Sequence, residues 1–240
     1  MWNADVKVIV FDIGGTLMEY RGMPNIWTDY YQTAFEHVRQ SLKLELRDED
    51  ITKSVELLKA FNPRIHYREI EYQPEQIFKS VTDHWNSEVP IDRIIYAFFE
   101  SMHLSSYIYP ETISELKRLK AHGIKIATFT DVATGMPDEL HKSYFMELQP
   151  YFDLYVSSLS CGYRKPNPKG LQDIAAFFGV SPNEMLMIGD EEKDIQTAKR
   201  FGCRSVLIDR HKTGRDCGQD YTIATLQEVD DIINNCQHAR

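Results

Sequence analysis

Four short stretches of this sequence carry residue types that together could transfer a phosphoryl group. They contain a carboxylate before a glycine turn, a hydroxyl, a lysine and, in the last stretch, a pair of carboxylates. In chain order these residues are Asp12 before Gly14-Gly15, Thr130-Asp131, Lys165, and Asp190 with Asp194. Carboxylates that face one another repel unless a cation lies between them, and Mg²⁺ prefers one or two carboxylates, waters and substrate phosphate. The set therefore predicts a magnesium-dependent phosphate site.

The chemistry of each side chain indicates its place in such a site. Lys165 and Thr130 suit phosphate oxygens, because an ammonium and a hydroxyl both donate hydrogen bonds to them. Backbone amides after Asp12 would complete an anion cradle of the kind that glycine turns form. Asp190 supplies a second carboxylate for the metal.

These residues also have simpler structural interpretations. Asp12 could close a turn after a strand, and Thr130 is typical of a strand end for its β-propensity alone. Asp190 and Asp194 could cap a helix that begins near Glu191, where carboxylates suit the helix dipole. The functional interpretation is favoured because all four stretches occur together and in one pattern.

Short apolar runs precede or contain these stretches and predict the strands that position them. The runs are Val6–Phe11, Ile124–Thr130, Leu154–Ser157, Met185–Gly189 and Ser205–Ile208. Runs that are apolar on both faces suit a parallel sheet covered by helices, and helical spacing lies between them. We therefore expect an α/β fold with a Rossmann-like, three-layer parallel sheet core, whose ligands bind at the carboxyl ends of the strands.

The alternation of strands and helices is interrupted once, between the Gly14-Gly15 turn and Pro110. Periodicity predicts helices throughout this segment, at Trp27–Leu42, Asp48–Phe61, Gln73–Asn86 and Ile91–Met102. A structureless loop of such length is implausible in a compact domain, so the segment predicts an inserted α-helical cap domain. The expected boundaries are 1–17 and 107–240 for the core and 18–106 for the cap.

Composition restricts the classes of partner. The net charge of −9 argues against a nucleic-acid groove but permits a small anionic ligand in a local positive pocket. Scattered cysteines (Cys161, Cys203, Cys217 and Cys236) predict a reduced, cytoplasmic chain. Neither a signal-peptide pattern nor an apolar run of ~18 residues is present, so no membrane partner is expected. The oligomeric state stays open.

The order and spacing of the four stretches resemble the haloacid dehalogenase-like superfamily. VKVIVFDIGGTL is similar to its first motif, which implies that Asp12 is the nucleophile and becomes an aspartyl-phosphate. IGDEEKD is similar to the fourth motif, which implies that Asp190 ligates Mg²⁺ together with Asp12 and the backbone carbonyl of Gly14. For Asp194 the resemblance implies one of two roles, either to hold the waters that bind the metal or to hold Lys165.

The same resemblance assigns the phosphate contacts and the substrate class. It implies that Lys165, before Pro166, neutralises the phosphate and the nucleophile, and that Thr130 is the phosphate-binding hydroxyl. Gly15 and Asp131 adjoin these motifs and complete the expected substrate-binding set. The helical insertion is similar to caps that close over the site and exclude large molecules, which implies a small phosphorylated metabolite.

The sequence departs from the family pattern at Gly14. Phosphatases of the family carry an aspartate there, which protonates the leaving group and then activates water. General acid–base help is worth roughly 10²–10⁴-fold, so hydrolysis is expected to be slow, restricted to good leaving groups, or assisted by another residue. Candidates for that assistance are a residue of the cap or one of four carboxylates near the site, Glu19, Asp131, Glu191 and Glu192.

The Gly14 departure leaves alternative functions open. Dehalogenases and phosphonatases of the family also lack the second aspartate. The former need no magnesium, and the latter need a Schiff-base lysine in the cap, for which the sequence offers Lys43, Lys53, Lys59 and Lys79. A third alternative is a catalytically impaired phosphate-binding regulatory protein.

Overall fold

A computed structural model of the protein describes residues 6–22 and 26–235, with side chains as far as Ile233. Its strands are β1 (Val8–Phe11), β2 (Met18–Arg21), β3 (Ser105–Ile108), β4 (Lys125–Thr130), β5 (Leu154–Ser157), β6 (Met185–Gly189), β7 (Arg204–Ile208) and β8 (Tyr221–Ile223). Its α-helices are α1 (Tyr31–Ser41), α2 (Asp48–Phe61), α3 (Pro74–Thr82), α4 (Ile91–Glu100), α5 (Thr112–Ala121), α6 (Asp138–Ser143), α7 (Ser158–Cys161), α8 (Lys169–Phe178), α9 (Glu192–Phe201) and α10 (Val229–Asn235).

Six strands form one parallel sheet in the order β5-β4-β1-β6-β7-β8. The central strand, β1, pairs in parallel with β4 and β6, and none of its four side chains is more than 1% exposed. Strands buried on both faces are typical of sheets covered by helices, and α5 and α8 both pack on β4. The α/β Rossmann-like core expected from the apolar runs is confirmed.

The predicted strands recur closely in this sheet. β5 and β6 have the bounds that the sequence predicts, and β1, β4 and β7 differ from prediction by one or two residues at their first position. The short strand β8 at the sheet edge is an addition that the apolar runs do not predict. Helices α8 and α9 end at Gly179 and Gly202, whose φ angles of +65° and +92° close each helix in the left-handed conformation.

The chain divides into two compact units. One comprises the described residues up to Glu19, Tyr107–Asp131 and the chain from Phe145 onward; the other comprises Tyr20–Ser106 and Val132–Tyr144. The second unit contains α1–α4, and its core includes Phe35, whose ring centroid lies 4.8 Å from that of Phe98. Its helices follow the predicted ranges, and 3-10 turns extend α1 at its start and α3 at its end.

Two features of the fold are not predicted by the helical periodicity. Strands β2 and β3 form a two-stranded sheet, and each of them spans a sequence boundary between the two units. Residues 132–144, which include α6, group with the inserted segment, and the ring of Tyr144 packs edge-on against that of Tyr20 at 5.5 Å. The cap assignment for 18–106 therefore stays a prediction whose boundaries the fold refines.

The remaining expectations concern cysteines and membranes. Cys161, Cys203 and Cys217 are free thiols, whereas Cys236 lies outside the described residues. Within residues 6–22 and 26–235, each helix is too short or too polar to cross a bilayer.

Candidate active site

Asp12 lies at the carboxyl end of the central strand. Its backbone N–H donates to the carbonyl of Ile188 at 2.9 Å, which extends the pairing of β1 with β6 by one residue. The register of β1 against β4 and β6 then brings Asp12 beside the ends of both neighbours, where Thr130 and Asp190 follow. The Asp12 residue is only 7% exposed. The sheet therefore brings three of the sequence-predicted residues to one edge.

Lys165 lies between two carboxylates. Its Nζ is 2.6 Å from Asp12 Oδ1 and 2.5 Å from Asp194 Oδ1, and its side chain is fully buried. Burial alone would lower the pKa of the Lys165 amine, but the charges of Asp12 and Asp194 outweigh burial and raise that pKa above its usual range. Lys165 is consequently an ammonium that holds one oxygen of Asp12.

Asp194 fixes this arrangement from the first turn of α9. Its Oδ1 contacts the Lys165 amine, and its Oδ2 accepts a hydrogen bond from the Glu191 backbone N–H at 2.9 Å. The second contact is a helix cap of the kind expected for a carboxylate in the first turn. Both interpretations of Asp194 from the sequence, helix cap and support for Lys165, therefore describe contacts that it makes.

Asp12, Asp190 and Asp194 form an acidic group in which Asp12 and Asp194 are buried and Asp190 is half-buried. Each offers a ligand oxygen, and these oxygens lie within 4.8 Å of one another. Asp190 Oδ1 is buried and has no hydrogen-bond partner among the described residues. Burial and the charges of Asp12 and Asp194 raise the pKa of Asp190 to about 8, and burial raises that of Asp12 to about 6 against the opposing charge of Lys165.

These observations fit a divalent cation. A buried carboxylate oxygen without a partner costs free energy. A cation beside it would supply the missing contact and would offset the repulsion among the three carboxylates. The donors are all oxygens, which suits Mg²⁺ or another hard cation. Asp12 and Asp190, with the Gly14 carbonyl in the turn that follows Asp12, could supply the protein ligands.

The two glycines of the turn differ in what they require. A Cβ on Gly15 would lie 2.3 Å from Asp190 Oδ2, and the φ of Gly15 is +77°, so both space and conformation exclude a side chain. The Gly15 N–H donates to the Met18 carbonyl at 2.7 Å, within the turn itself. A Cβ on Gly14, in contrast, would meet nothing within 4 Å, and Gly14 is not among the glycines with positive φ.

Thr130 and Asp131 follow one another at the end of β4 but differ in surroundings. Thr130 is buried, 3% exposed, one residue beyond the level of Asp12. Asp131 Oδ1 accepts the backbone N–H of Lys165 at 3.0 Å, and its Oδ2 lies 3.1 Å from Lys193 Nζ. Burial would raise the pKa of Asp131, but Lys193, Arg164 and Lys165 outweigh it and hold that pKa well below its usual range.

Lys193 is a residue of the site that sequence reasoning missed. It lies in the first turn of α9, and its Nζ is 2.8 Å from Glu191 Oε2 as well as 3.1 Å from Asp131. The sequence does contain a signal: a cation in a first helical turn opposes the helix dipole, so it needs another reason to be there.

The candidates for the missing acid–base group have different partners. Asp131 and Glu191 both pair with Lys193, and Glu192 accepts a hydrogen bond from Gln196 on the exposed side of α9. Glu19 receives a hydrogen bond at 3.5 Å from the hydroxyl of Tyr109, whose pKa is raised to about 12 by burial and by Glu19. Each of the four carboxylates therefore has at least one polar partner in the described part of the chain.

The lysines weighed for a Schiff base lie in solvent-accessible positions. A Schiff-base lysine needs a desolvated or cationic environment that keeps its amine neutral. Lys43, Lys53 and Lys79 are exposed, and Lys59 is half-buried with its Nζ 2.9 Å from Glu56. None of the four therefore has the environment that a Schiff-base lysine needs.

Comparison with known proteins agrees with this geometry. A family model described as haloacid dehalogenase-like hydrolase matches residues 6–202. Glyceraldehyde 3-phosphate phosphatase of Methanocaldococcus jannaschii is 35% identical over 131 residues, which are 53% of this chain and 57% of that protein. Phosphoglycolate phosphatase of Nitrosospira multiformis is 25% identical over 232 residues, which are 95% of this chain and 96% of that protein.

A solved structure supports the fold. The 2-haloacid dehalogenase from Pseudomonas syringae pv. Tomato DC3000 aligns over 96% of this chain and 99% of its own, with a TM-score of 0.69 and 18% identity. At that identity the likeness concerns the fold and not the reaction.

Proposed function

Because the chain belongs to the haloacid dehalogenase-like hydrolases, we propose that it is a Mg²⁺-dependent phosphatase that acts on a small phosphorylated metabolite. The observation that carries the proposal is the group of charged side chains at the carboxyl end of the central strand β1. There Lys165 holds one oxygen of Asp12, while Asp190 presents a buried oxygen without a partner in the described part of the chain. These contacts support a role for Asp12 as nucleophile with Lys165 as its counter-ion, and a role for Asp190 as ligand of a cation.

In the proposed reaction Asp12 attacks the phosphorus with Oδ2, since Oδ1 is held by Lys165. The new bond joins Asp12 to phosphorus, and the bond from phosphorus to the leaving oxygen breaks. The Lys165 ammonium lowers the repulsion between the carboxylate and the anionic phosphoryl group throughout. A water oxygen then bonds to the phosphorus and the bond from phosphorus to Asp12 Oδ2 breaks. The Asp12 carboxylate is restored, and both protons of the water leave with the inorganic phosphate.

Mg²⁺, held by Asp12, Asp190 and the Gly14 carbonyl, would neutralise phosphoryl charge and orient the phosphate. Asp194 would keep Lys165 in place rather than bind the ion directly. Gly15 would make room for Asp190, and Thr130 would donate its hydroxyl to a phosphate oxygen.

The glycine at position 14 sets the expected rate. Without a carboxylic acid there, the leaving oxygen must take its proton from elsewhere, and hydrolysis of the aspartyl-phosphate lacks a general base. Good leaving groups need little protonation, so acyl and aryl phosphates should react faster than alkyl phosphates. Two relatives are named as phosphatases of small phosphorylated molecules, which supports a small substrate here.

The test is phosphate release from acetyl phosphate and p-nitrophenyl phosphate, with Mg²⁺ and with a chelator. Release should require Mg²⁺, and Asp12→Asn should lower it on the order of 10³-fold or more. Asp92→Asn, at an exposed position of α4, is the matched control and should retain the wild-type rate. Mass spectrometry of the peptide that contains Asp12 should detect the phosphorylated intermediate.

Other outcomes would favour other functions. No release from either substrate by folded wild-type protein would contradict the proposal. If Mg²⁺ and phosphate then still raised the melting temperature, a regulatory phosphate-binding protein would be the better description. Halide release from a 2-haloacid without Mg²⁺ would indicate a dehalogenase.

A further inference from the structure

Asp131 uses both carboxylate oxygens in contacts that join separate segments of the site. Oδ1 accepts the Lys165 backbone N–H, and Oδ2 contacts Lys193. Asp131 follows β4, Lys165 lies between α7 and α8, and Lys193 lies in α9. The Asp131 side chain is 6% exposed and that of Lys193 is 31% exposed, so the carboxylate is largely removed from bulk water while the ammonium is partly solvated. These contacts are therefore well placed to fix the relative positions of the three segments.

Asp131 contacts the backbone of Lys165, which lies in the segment between α7 and α8. A hydrogen bond from an N–H to a carboxylate is stronger than one to a neutral acceptor. The same residue sends its amine to Asp12 and Asp194. A shift of the Lys165 backbone would move that amine away from two carboxylates that must be contacted together.

The charge of Asp131 creates a requirement that Lys193 meets. An uncompensated Asp131 carboxylate would offset part of the positive charge that Lys165 offers to an incoming phosphate, because the Asp131 charge acts on Lys165. Lys193 Nζ lies 3.1 Å from Asp131 and 2.8 Å from Glu191, and Arg164 lies 3.9 Å from Asp131. Because the Asp131 carboxylate is buried, removal of Lys193 would leave its charge poorly compensated, which costs more than the pair itself contributes.

We propose that Lys193 and Asp131 act as one positioning unit for Lys165, in which Lys193 holds the Asp131 carboxylate and Asp131 holds the Lys165 amide. The inference rests on the proposed phosphatase function and assigns Asp131 a role other than substrate binding. It makes Lys193 a positioning residue, because its effect on the reaction passes through Asp131 and Lys165.

The test is a double-mutant cycle between positions 131 and 193. Lys193→Met should lower kcat by about 10- to 100-fold with a change in KM of less than about 3-fold, because the misplaced group acts in the chemical step. Asp131→Asn keeps an acceptor for the Lys165 N–H and should lower kcat by only about 3-fold. The double variant should return to within about 3-fold of Asp131→Asn, since the uncompensated charge is then absent.

Two further variants separate positioning from loss of any lysine. Lys193→Arg retains the cation and should keep kcat within about 5-fold of wild type. Lys169→Met removes a partly exposed lysine that pairs with Asp173 within α8, and should change kcat by less than about 2-fold. If the losses of the two single variants multiply in the double variant, or if Lys193→Met raises KM at constant kcat, the proposal is overturned.

A readout that needs no turnover keeps the two proposals apart. Hydrogen exchange of the Lys165 amide, followed by NMR in metal-free protein, should be at least about 10-fold faster in Lys193→Met than in wild type or in the double variant. If wild type hydrolyses no phosphate ester but this pattern holds, the proposed function fails and the positioning unit stands. Equal acceleration across all amides of β6 and α9 would indicate a general loss of stability and would overturn the positioning role.

Discussion

Asp190→Asn should stabilise the metal-free protein and remove its response to Mg²⁺. In the wild type, Asp190 Oδ1 is buried without a partner among the described residues, and ligand oxygens of Asp12 and Asp194 lie within 4.8 Å. Burial and the charges of Asp12 and Asp194 raise the pKa of Asp190 to about 8. Asparagine cannot ionise, so the variant avoids this repulsion and also loses the ligand.

The sign and size of the effect follow from the two states of the carboxyl. An unfolded aspartate titrates near 3.8 and the folded one at about 8, so the folded protein binds more protons between these values. The free energy of unfolding of the wild type therefore falls as pH rises from about 4 to about 8. One pKa unit corresponds to ~1.4 kcal/mol, so even half of the shift amounts to ~3 kcal/mol at pH 8. At ~2–4 °C per kcal/mol, the metal-free variant should melt on the order of 5–10 °C above wild type.

The assay is thermal unfolding of both proteins at pH 5 and pH 8, with a chelator and with saturating Mg²⁺. The gap between variant and wild type should widen from pH 5 to pH 8 in the chelator. Mg²⁺ at about 100 times its Kd should add ~2.7 kcal/mol to the stability of wild type alone. A metal-free variant that is less stable than wild type at pH 8, or a gap that stays constant with pH, would refute the reasoning.

Two further predictions concern the glycine turn. Gly14→Asp should raise kcat for alkyl phosphates by on the order of 10- to 100-fold, because a Cβ there meets nothing within 4 Å and an acid at this position supplies the missing proton. An unchanged kcat would mean that another residue already performs that step. Gly15→Ala should abolish stabilisation by Mg²⁺, because its Cβ would lie 2.3 Å from Asp190 Oδ2. Gly14→Ala is the matched control, and thermal shift with Mg²⁺ measures both; equal shifts in the two alanine variants would contradict the steric argument.

The sheet could be predicted from the sequence because its central strands are buried on both faces. Val8–Phe11 and Met185–Gly189 are almost entirely apolar, so their pattern differs sharply from that of the surrounding helices. Once these strands are assigned, the rule that ligands bind at carboxyl ends brings Asp12 and Asp190 together without knowledge of any side-chain contact.

Features that depend on partial burial or on distant side chains could not be read in this way. Strand β8 has three residues, of which Thr222 is exposed, and β3 begins with two exposed serines. Asp131 and Lys193 pair although they are far apart in sequence, and the residue types alone do not predict which charged residues form a pair. The grouping of residues 132–144 with the inserted segment depends on ring packing that no periodicity encodes.

The central place of β1 has a consequence for the order in which the protein acquires its site during synthesis. Val8 pairs with Lys125 on one side and with Met185 on the other, so the strand that carries Asp12 leaves the ribosome long before either partner exists. Helices α1–α4 contact one another locally and can pack in the interval. At 5–20 residues per second, β1 stays without β6 for roughly ten seconds or more, with its apolar side chains exposed to non-native contacts. A nascent chain that stops before Met185 contains Asp12 but lacks two groups of the site. They are the Ile188 carbonyl, which accepts the hydrogen bond of the Asp12 amide, and the carboxylate of Asp190.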